Sequence, residues 1–139
     1  MKKLYKNIFI VDDNSNVLRL LEEAFKDNEF IHKIKGFSKG STFLKYIKRP
    51  SFLKEKPDLI MLDLYMPEYD GFTIAKQIRE NTSLKNTPIV MLSESKNQND
   101  VYESYNFGAN LFLEKPGTYQ AWIELIRTVD KVWLEDVKE

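Results

Sequence analysis

Five polar side chains follow four separate apolar segments of the sequence. Asp12 and Asp13 come directly after NIFIV, Asp63 follows LIML, Ser93 follows PIVML, and Lys115 lies just beyond LFL. Three carboxylates held close together repel one another, and a hard divalent cation with oxygen ligands, such as Mg²⁺, relieves that repulsion. The lysine and the serine add a positive charge and a hydroxyl donor. The set predicts a pocket for an anion, and a phosphoryl group attacked in line by a carboxylate fits it.

The elements that must position these side chains alternate along the chain. Apolar runs predict strands, and apolar residues at helical spacing predict the helices between them. The predicted strands are Asn7–Val11, Ile31–Phe37, Asp58–Leu62, Pro88–Leu92 and Leu111–Leu113. The first predicted helix begins after Asn14 or Ser15, and the second begins at 40–41. The third includes residues 74–78, the fourth ends near Gly108, and the fifth spans 118–135. Residues 49–57 are predicted to be a surface loop.

Five strand–helix units in succession predict an α/β fold, with a doubly wound, five-stranded parallel sheet and helices on both faces. Sites in such sheets form beyond the carboxyl ends of the strands, where the five polar residues would converge. The length of 139 residues predicts a single domain, 1–139, without an output domain.

Composition narrows the classes of function. Basic and acidic residues balance at 21 each, so the overall charge does not point to nucleic acid or to an anionic membrane. The chain has no cysteine, which excludes thiolate chemistry and disulfides. The apolar run near the N-terminus is too short for a signal peptide or a membrane span, so we expect a cytoplasmic protein.

Four motifs in order carry a family resemblance. They are IVDDN at 10–14, LIMLDLYMPEYDG at 59–71, PIVMLSES at 88–95 and GANLFLEKP at 108–116. The chain resembles the response-regulator receiver domains (CheY-like) of two-component signalling over essentially its whole length. That resemblance implies a (βα)5, flavodoxin-like, three-layer α/β/α fold. The SES motif, the 49–57 segment and the WLE ending are also similar to the stand-alone regulators that partner bacterial phytochrome kinases.

The resemblance implies a role for each acidic residue. Asp63 would be the phosphoacceptor, supplied by a sensor histidine kinase or a histidine phosphotransfer protein. Asp13 would bind Mg²⁺ directly and Asp12 through water, and Asp63 and the backbone carbonyl of Tyr65 would complete the protein ligands.

The resemblance also assigns the residues that respond to phosphorylation. Ser93 is the switch hydroxyl that binds a phosphoryl oxygen together with Lys115, and Phe112 is the switch aromatic. The Lys115–Pro116 peptide is expected to be cis, as it is in the family.

Two residues near the site depart from the commonest pattern of the family. Glu94 replaces a small residue and would crowd an approaching phosphodonor. Tyr65 is bulky and would shield an acyl phosphate from water, so we expect slow autodephosphorylation.

Aromatic residues near the C-terminus exceed what one buried helix face requires. Tyr105, Tyr119, Trp122 and Trp133 are therefore interpreted as a possible partner or dimer surface, formed by the fourth helix, fifth strand and fifth helix. The only histidine, His32, is interpreted as a surface residue.

The resulting hypothesis is a response regulator that signals by a phosphorylation-induced surface change to a downstream protein, without direct binding of nucleic acid or membrane. It would catalyse its own phosphorylation and dephosphorylation rather than turn over an external substrate. A phosphorelay intermediate and a phosphate-independent interaction module are the alternatives. A haloacid-dehalogenase-like phosphatase is disfavoured, because Tyr65 stands where that class has a second aspartate.

Overall fold

The five strands form one parallel sheet. The structure, a computed structural model, describes residues 5–27, 32–95 and 97–134. The strands are β1 (Asn7–Val11), β2 (Lys33–Phe37), β3 (Leu59–Asp63), β4 (Ile89–Ser93) and β5 (Leu111–Glu114), in the order β2-β1-β3-β4-β5. Each neighbouring pair is parallel, as the alternation in the sequence predicts.

Four α-helices connect the strands, a fifth follows β5, and together they cover both faces of the sheet. They are α1 (Ser15–Asp27), α2 (Gly40–Tyr46), α3 (Gly71–Glu80), α4 (Gln98–Asn106) and α5 (Tyr119–Val129). Apolar residues of α1 and α5 pack on one face, and those of α2 and α3 pack on the other. All residues of β1, β3 and β4 are buried, because the three central strands are covered on both sides. The doubly wound, three-layer prediction is confirmed.

Short polar side chains fix where the helices begin. Asn14 accepts the Asn16 N–H ahead of α1, and Asp70 accepts the Thr73 N–H at the start of α3. These caps satisfy backbone donors that have no partner within the helix. At the other end of α4, Gly108 takes a φ of +117°, a conformation that ends the helix and favours glycine.

The predicted surface loop at 49–57 is wrong in part. It contains a short 3₁₀ helix, Pro50–Lys54, whose Phe52 is only 1% exposed. The Phe52 ring packs 6.3 Å from the ring of Phe9 and 6.1 Å from that of Tyr46, measured between centroids. The segment therefore closes the edge of the core instead of lying over it.

The end of the last helix also differs from the prediction. The α-helix stops at Val129 and continues as a wider π-helical turn, Asp130–Leu134. Both Asp130 and Leu134 are buried in this turn. Residue 135, the predicted end, lies outside the described residues, as does residue 31, the predicted start of the second strand.

His32 is not the surface residue that the sequence suggested. Its side chain is 11% exposed and its Nε2 lies 2.9 Å from Oδ1 of Asp130. The Lys6 N–H donates to Nδ1 over 3.2 Å, which leaves Nε2 as the ring nitrogen that donates to the aspartate. His32 thus ties the turn after α5 to the residues before β1 and β2.

Candidate functional site

A lysine and two buried aspartates meet at the carboxyl edge of the sheet. Lys115 Nζ lies 2.9 Å from Oδ2 of Asp12 and 3.1 Å from Oδ1 of Asp63. All three side chains are at most 9% exposed. The residue after β1, the last residue of β3 and a residue after β5 are therefore in direct contact, at the sheet edge where the sequence predicts that they converge.

The strand ladder holds these side chains in place. Asp63 is the last residue of β3, and Asp12 follows β1 with its N–H bonded to the Phe37 carbonyl over 3.0 Å. The Lys115 N–H donates to the Ser93 carbonyl over 2.8 Å, which extends the pairing of β4 and β5 by one residue. Backbone bonds on rigid strands thus aim the charged groups at one point.

Asp13 completes an acidic cluster with the two buried aspartates. One carboxylate oxygen from each of Asp12, Asp13 and Asp63 lies within 4.8 Å of the others. Asp12 Oδ2 is buried without a hydrogen-bond partner among the described residues, because its contact with the Lys115 ammonium is an ion pair outside hydrogen-bond geometry. Three carboxylates this close together form a donor set that suits a hard divalent cation. The cluster can therefore hold a divalent metal ion.

Burial and mutual repulsion perturb the acids. Burial, and next the charge of Asp12, raise the pKa of Asp63 to about 7 from its ordinary 3.8. Burial also raises the pKa of Asp12, although the contact with Lys115 opposes it. For Lys115, burial lowers the pKa, but the two carboxylates outweigh this effect and the net pKa is raised. The site therefore favours the charged form of Lys115 and the neutral form of Asp63 more than water does.

Ser93 faces the same cleft as the acids and the lysine. The cleft has a volume of about 240 Å³, and its lining includes Asp63, Tyr65, Ser93 and Lys115. Ser93 is 1% exposed, and its Oγ accepts the Ser95 N–H over 3.0 Å. The structure thus brings together all five polar residues that the strand ends predict. Their individual roles stay predictions.

A contact at the cleft mouth was not foreseen from the sequence. Tyr65 is 56% exposed, and its hydroxyl donates to Oδ2 of Asp100, in the first turn of α4, over 2.7 Å. The two residues are 35 positions apart, and no local pattern links them. Tyr65 and Glu94 both line the cleft, and Glu94 is exposed to solvent.

Gly71 is a second residue that sequence reasoning missed. A Cβ at Gly71 would lie 2.8 Å from the Asp63 carbonyl oxygen and 2.9 Å from Leu64 Cα. Its N–H donates to the Leu64 carbonyl over 2.6 Å, so the loop after the phosphoacceptor candidate returns tightly to β3. The glycine at the end of the LIMLDLYMPEYDG motif was the available signal.

The predicted cis peptide at Pro116 is wrong, since no described peptide bond is cis. Lys115 nevertheless reaches both carboxylates, because its backbone bond to Ser93 already orients it. Phe112 is half-buried against the α2/α3 core, and its N–H donates to the Tyr105 hydroxyl over 3.0 Å. Tyr105 therefore connects α4 to the strand of the predicted switch aromatic.

The predicted interface residues fall into different environments. Tyr105 is 44% exposed, as an interface residue requires, but Trp122 is 4% exposed and packs in the core beneath α5, so its assignment was wrong. Trp133 is half-buried against the same core. Tyr119 is half-buried and its hydroxyl donates to Asp27 over 2.7 Å, a contact to α1. The spacing of the aromatics in the sequence did not reveal which face α1 and the sheet cover.

Comparison with known proteins agrees with this geometry. The family model of the response regulator receiver domain matches residues 8–127, which include β2 to β5, all of β1 except Asn7, and the five polar residues of the site. The chain therefore belongs to the response regulator receiver domain family of two-component signalling. Domains of this family work with histidine kinases and with downstream targets.

Particular relatives refine the comparison. The response regulator Rcp1 of Synechocystis is 29% identical over 134 residues, covering 95% of this chain and 91% of its own length. The probable methanogenesis regulatory protein FilR2 of Methanothrix harundinacea is 27% identical, over 91% of this chain and 83% of its own.

Two solved structures share both fold and sequence identity. The phosphorylated cyanobacterial phytochrome response regulator RcpA superposes with a TM-score of 0.86 at 29% identity, over 96% of this chain and 97% of that one. The Mn²⁺-bound form of Rcp1 gives a TM-score of 0.82 at 29% identity, with the same coverage.

Proposed function

We propose that Asp63 accepts a phosphoryl group from a phosphohistidine, carried by a sensor histidine kinase or a histidine phosphotransfer protein. The observation that carries this proposal is the contact of Asp63, at the end of a rigid buried strand, with Lys115 at an open cleft. The cleft has room for a phosphoryl group, and the family membership of the chain supports the same chemistry.

In the transfer step, a carboxylate oxygen of Asp63 attacks the phosphorus in line. An O–P bond forms as the P–N bond to the donor imidazole breaks, and the electron pair of that bond remains on the imidazole nitrogen. The product is an acyl phosphate. Lys115, already 3.1 Å from Asp63, stabilises the charge on the transferred oxygens, and its position costs no reorganisation during the reaction.

The residues that would hold Mg²⁺ are Asp12, Asp13, Asp63 and the backbone carbonyl of Tyr65. When bound, the cation supplies positive charge that offsets both the phosphoryl oxygens and the neighbouring carboxylates. The acidic cluster and the Mn²⁺ in the relative Rcp1 support a divalent site of this kind.

The signal would then pass to the surface through Ser93 and Phe112. To donate to a phosphoryl oxygen, the Ser93 hydroxyl must turn from its present bond with the Ser95 N–H. Phe112 would move inward in the same change and alter its contact with Tyr105. The response is a population shift, limited by how much more tightly the active state binds the phosphoryl group.

The wider role proposed is that of a cytoplasmic regulator that catalyses its own phosphorylation and passes the signal by protein contact. No helix of the described residues is both long and apolar enough to cross a bilayer. RcpA, named as a phytochrome response regulator, supports a phytochrome-type kinase as the phosphodonor. A homodimer through α4, β5 and α5 would use the exposed Tyr105.

The test is phosphorylation with acetyl phosphate and Mg²⁺, followed by intact-protein mass spectrometry. We expect one phosphoryl adduct on the wild type and none on Asp63→Asn. Asp13→Asn is the matched variant: it removes a metal ligand but keeps the acceptor, so its adduct should form slowly rather than disappear. An adduct on Asp63→Asn would refute the assignment, and no adduct on any protein would favour the phosphate-independent module.

A further inference from the structure

The balanced charge of the chain conceals a strongly basic segment. Residues 33–57 contain eight lysine and arginine residues but one acid, Glu55, which leaves 13 basic and 20 acidic residues for the rest of the chain. All eight basic side chains are exposed. The protein is therefore neutral as a whole but strongly polar in its distribution of charge.

Contacts with Glu55 and Tyr46 bring three of these basic residues, on β2 and just after α2, onto one surface. Lys33 Nζ lies 3.3 Å from Glu55, which joins β2 to the segment after the 3₁₀ helix. Lys35 Nζ lies 4.9 Å from the ring centre of Tyr46, and the Arg49 guanidinium carbon lies 6.0 Å from it. A shallow groove of about 250 Å³ runs between β2, Tyr46 and Glu55. Lys39 lines a different cleft, beside Asp13. We call the other exposed basic residues of the segment the basic face; they are Lys33, Lys35, Lys45, Lys48, Arg49, Lys54 and Lys56.

Most of the positive charge on the basic face is uncompensated. Within the part of the chain that the structure describes, Lys45, Lys48, Lys54 and Lys56 have no carboxylate within 4.0 Å. Lysines on an edge strand discourage strands of other copies from pairing there, which accounts for Lys33 and Lys35. That explanation does not extend to the four lysines beyond β2.

The basic face borders an unpaired backbone edge. β2 is the outermost strand of the sheet and pairs with β1 alone among the described strands. The Lys33 N–H and the Phe37 carbonyl both bond toward β1, at 2.9 and 3.0 Å. Because backbone groups alternate along a strand, those of Ile34 and Gly36 point outward. Gly36 is exposed and has no side chain to obstruct a neighbouring backbone.

Nucleic acid and an anionic membrane both carry negative charge, but they fit this surface less well than a polypeptide does. The Tyr46 ring is occupied by Phe9, Phe37 and Phe52, with centroids 5.8, 5.4 and 6.1 Å away, so it is not free to stack on a base. The only large apolar side chain exposed in the segment is Leu53, too little for insertion into a bilayer. The outward N–H and C=O groups of β2 are complementary only to another polypeptide backbone.

We propose that the basic face and the β2 edge bind an extended acidic segment of a partner protein. The segment adds as a further strand beside β2, so that its backbone pairs with Ile34 and Gly36 while its carboxylates meet the lysines. Backbone pairing supplies the register, and the charges supply selectivity and a fast encounter. The surface lies apart from the phosphorylation cleft, and the proposal is independent of the acceptor assignment.

The experiment measures binding of a fluorescent peptide of alternating glutamate and threonine, longer than β2, by anisotropy. A lysine–threonine peptide, a DNA duplex and phosphatidylserine vesicles are the comparison ligands. We expect the glutamate peptide to bind, with affinity that falls as salt rises from about 0.05 to 0.3 M. The combined change Lys45→Glu, Lys48→Glu and Lys54→Glu should weaken it by about tenfold or more. The same charge change at three exposed lysines elsewhere (Lys26→Glu, Lys85→Glu, Lys131→Glu) should alter it by less than about twofold.

Gly36→Pro separates strand addition from simple attraction of anions. Proline removes the outward N–H without breaking a bond to β1, so peptide binding should weaken while Gly36→Ala binds as the wild type does. Circular dichroism checks that both variants stay folded. Tighter binding of DNA or vesicles than of the glutamate peptide would overturn the proposal, as would a Gly36→Pro variant that is folded and binds the peptide unchanged. Absence of salt-dependent binding to the glutamate peptide would overturn it as well.

Discussion

The charge of Asp63 should destabilise the metal-free protein, and Asp63→Asn should therefore stabilise it. Burial and the neighbouring Asp12 raise the pKa of Asp63 to about 7, against 3.8 for an unburied carboxyl. A folded state that binds the proton more tightly than the unfolded state loses stability when the proton leaves. The loss begins as the pH rises above about 4 and is complete above about 7.

The size of this effect follows from the difference between the two pKa values. At about 1.4 kcal/mol for each tenfold change in proton affinity, the full penalty at pH 8 is roughly 4 kcal/mol. The raised pKa already includes the attraction to Lys115. Because asparagine resembles the neutral acid, we expect a net gain of up to about 4 kcal/mol in the free energy of unfolding. Near pH 4.5, where the unfolded carboxyl is only partly deprotonated, the gain should fall to about 1 kcal/mol or less.

Urea unfolding in the presence of EDTA measures this difference at the two pH values. Asp13→Asn is the matched control, since it makes the same change at an exposed aspartate of the same cluster. It should change stability by less than about 0.5 kcal/mol. Equal stability of Asp63→Asn and wild type at pH 8, or the same gain at both pH values, would refute the reasoning. Added Mg²⁺ should raise the free energy of unfolding of the wild type and change that of Asp63→Asn much less.

Three further changes test other parts of the structure. Lys115→Met removes the ammonium group beside the two buried carboxylates, so we expect at least about a tenfold slower reaction with acetyl phosphate. Adduct formation over time measures the rate, and an unchanged rate would contradict the role of the lysine. Tyr65→Phe removes the hydrogen bond to Asp100 but keeps the ring, and Tyr65→Ala removes both. If the ring shields the acyl phosphate, only the alanine variant should lose its phosphate several-fold faster. Equal phosphate lifetimes in the wild type and both variants would count against shielding. Gly108→Ala forces an alanine into a φ of +117° and places its Cβ 2.7 Å from Arg79; we expect a loss of about 1–3 kcal/mol in urea unfolding, and wild-type stability would show that the turn after α4 relaxes freely.

Local patterns were sufficient where the physical cause is local. The apolar runs and helical spacing predicted the alternation of strands and helices along the chain. The polar residues at the strand ends predicted that Asp12, Asp13, Asp63, Ser93 and Lys115 converge on one edge of the sheet. These inferences succeed because parallel strands share one carboxyl edge, so position along the chain becomes position in space. The family motifs then supplied roles that residue types alone do not.

Contacts between distant segments needed the tertiary structure. Tyr65 bonds to Asp100 across 35 positions and His32 to Asp130 across 98, and neither pair has a sequence signature. Trp122 was misjudged because an aromatic on an amphipathic helix has the same spacing whether its face is covered or open.

The sequence by itself determined the fold class, the acidic edge and the basic composition of residues 33–57. Only the tertiary structure decided which aromatics are buried, which hydroxyls join α4 to the site and to β5, and that the basic segment borders an open strand edge. The physical reason is that periodicity and strand ends are encoded by neighbours in the chain. Burial and long-range hydrogen bonds depend instead on how the elements pack, and the sequence constrains that packing only as a whole.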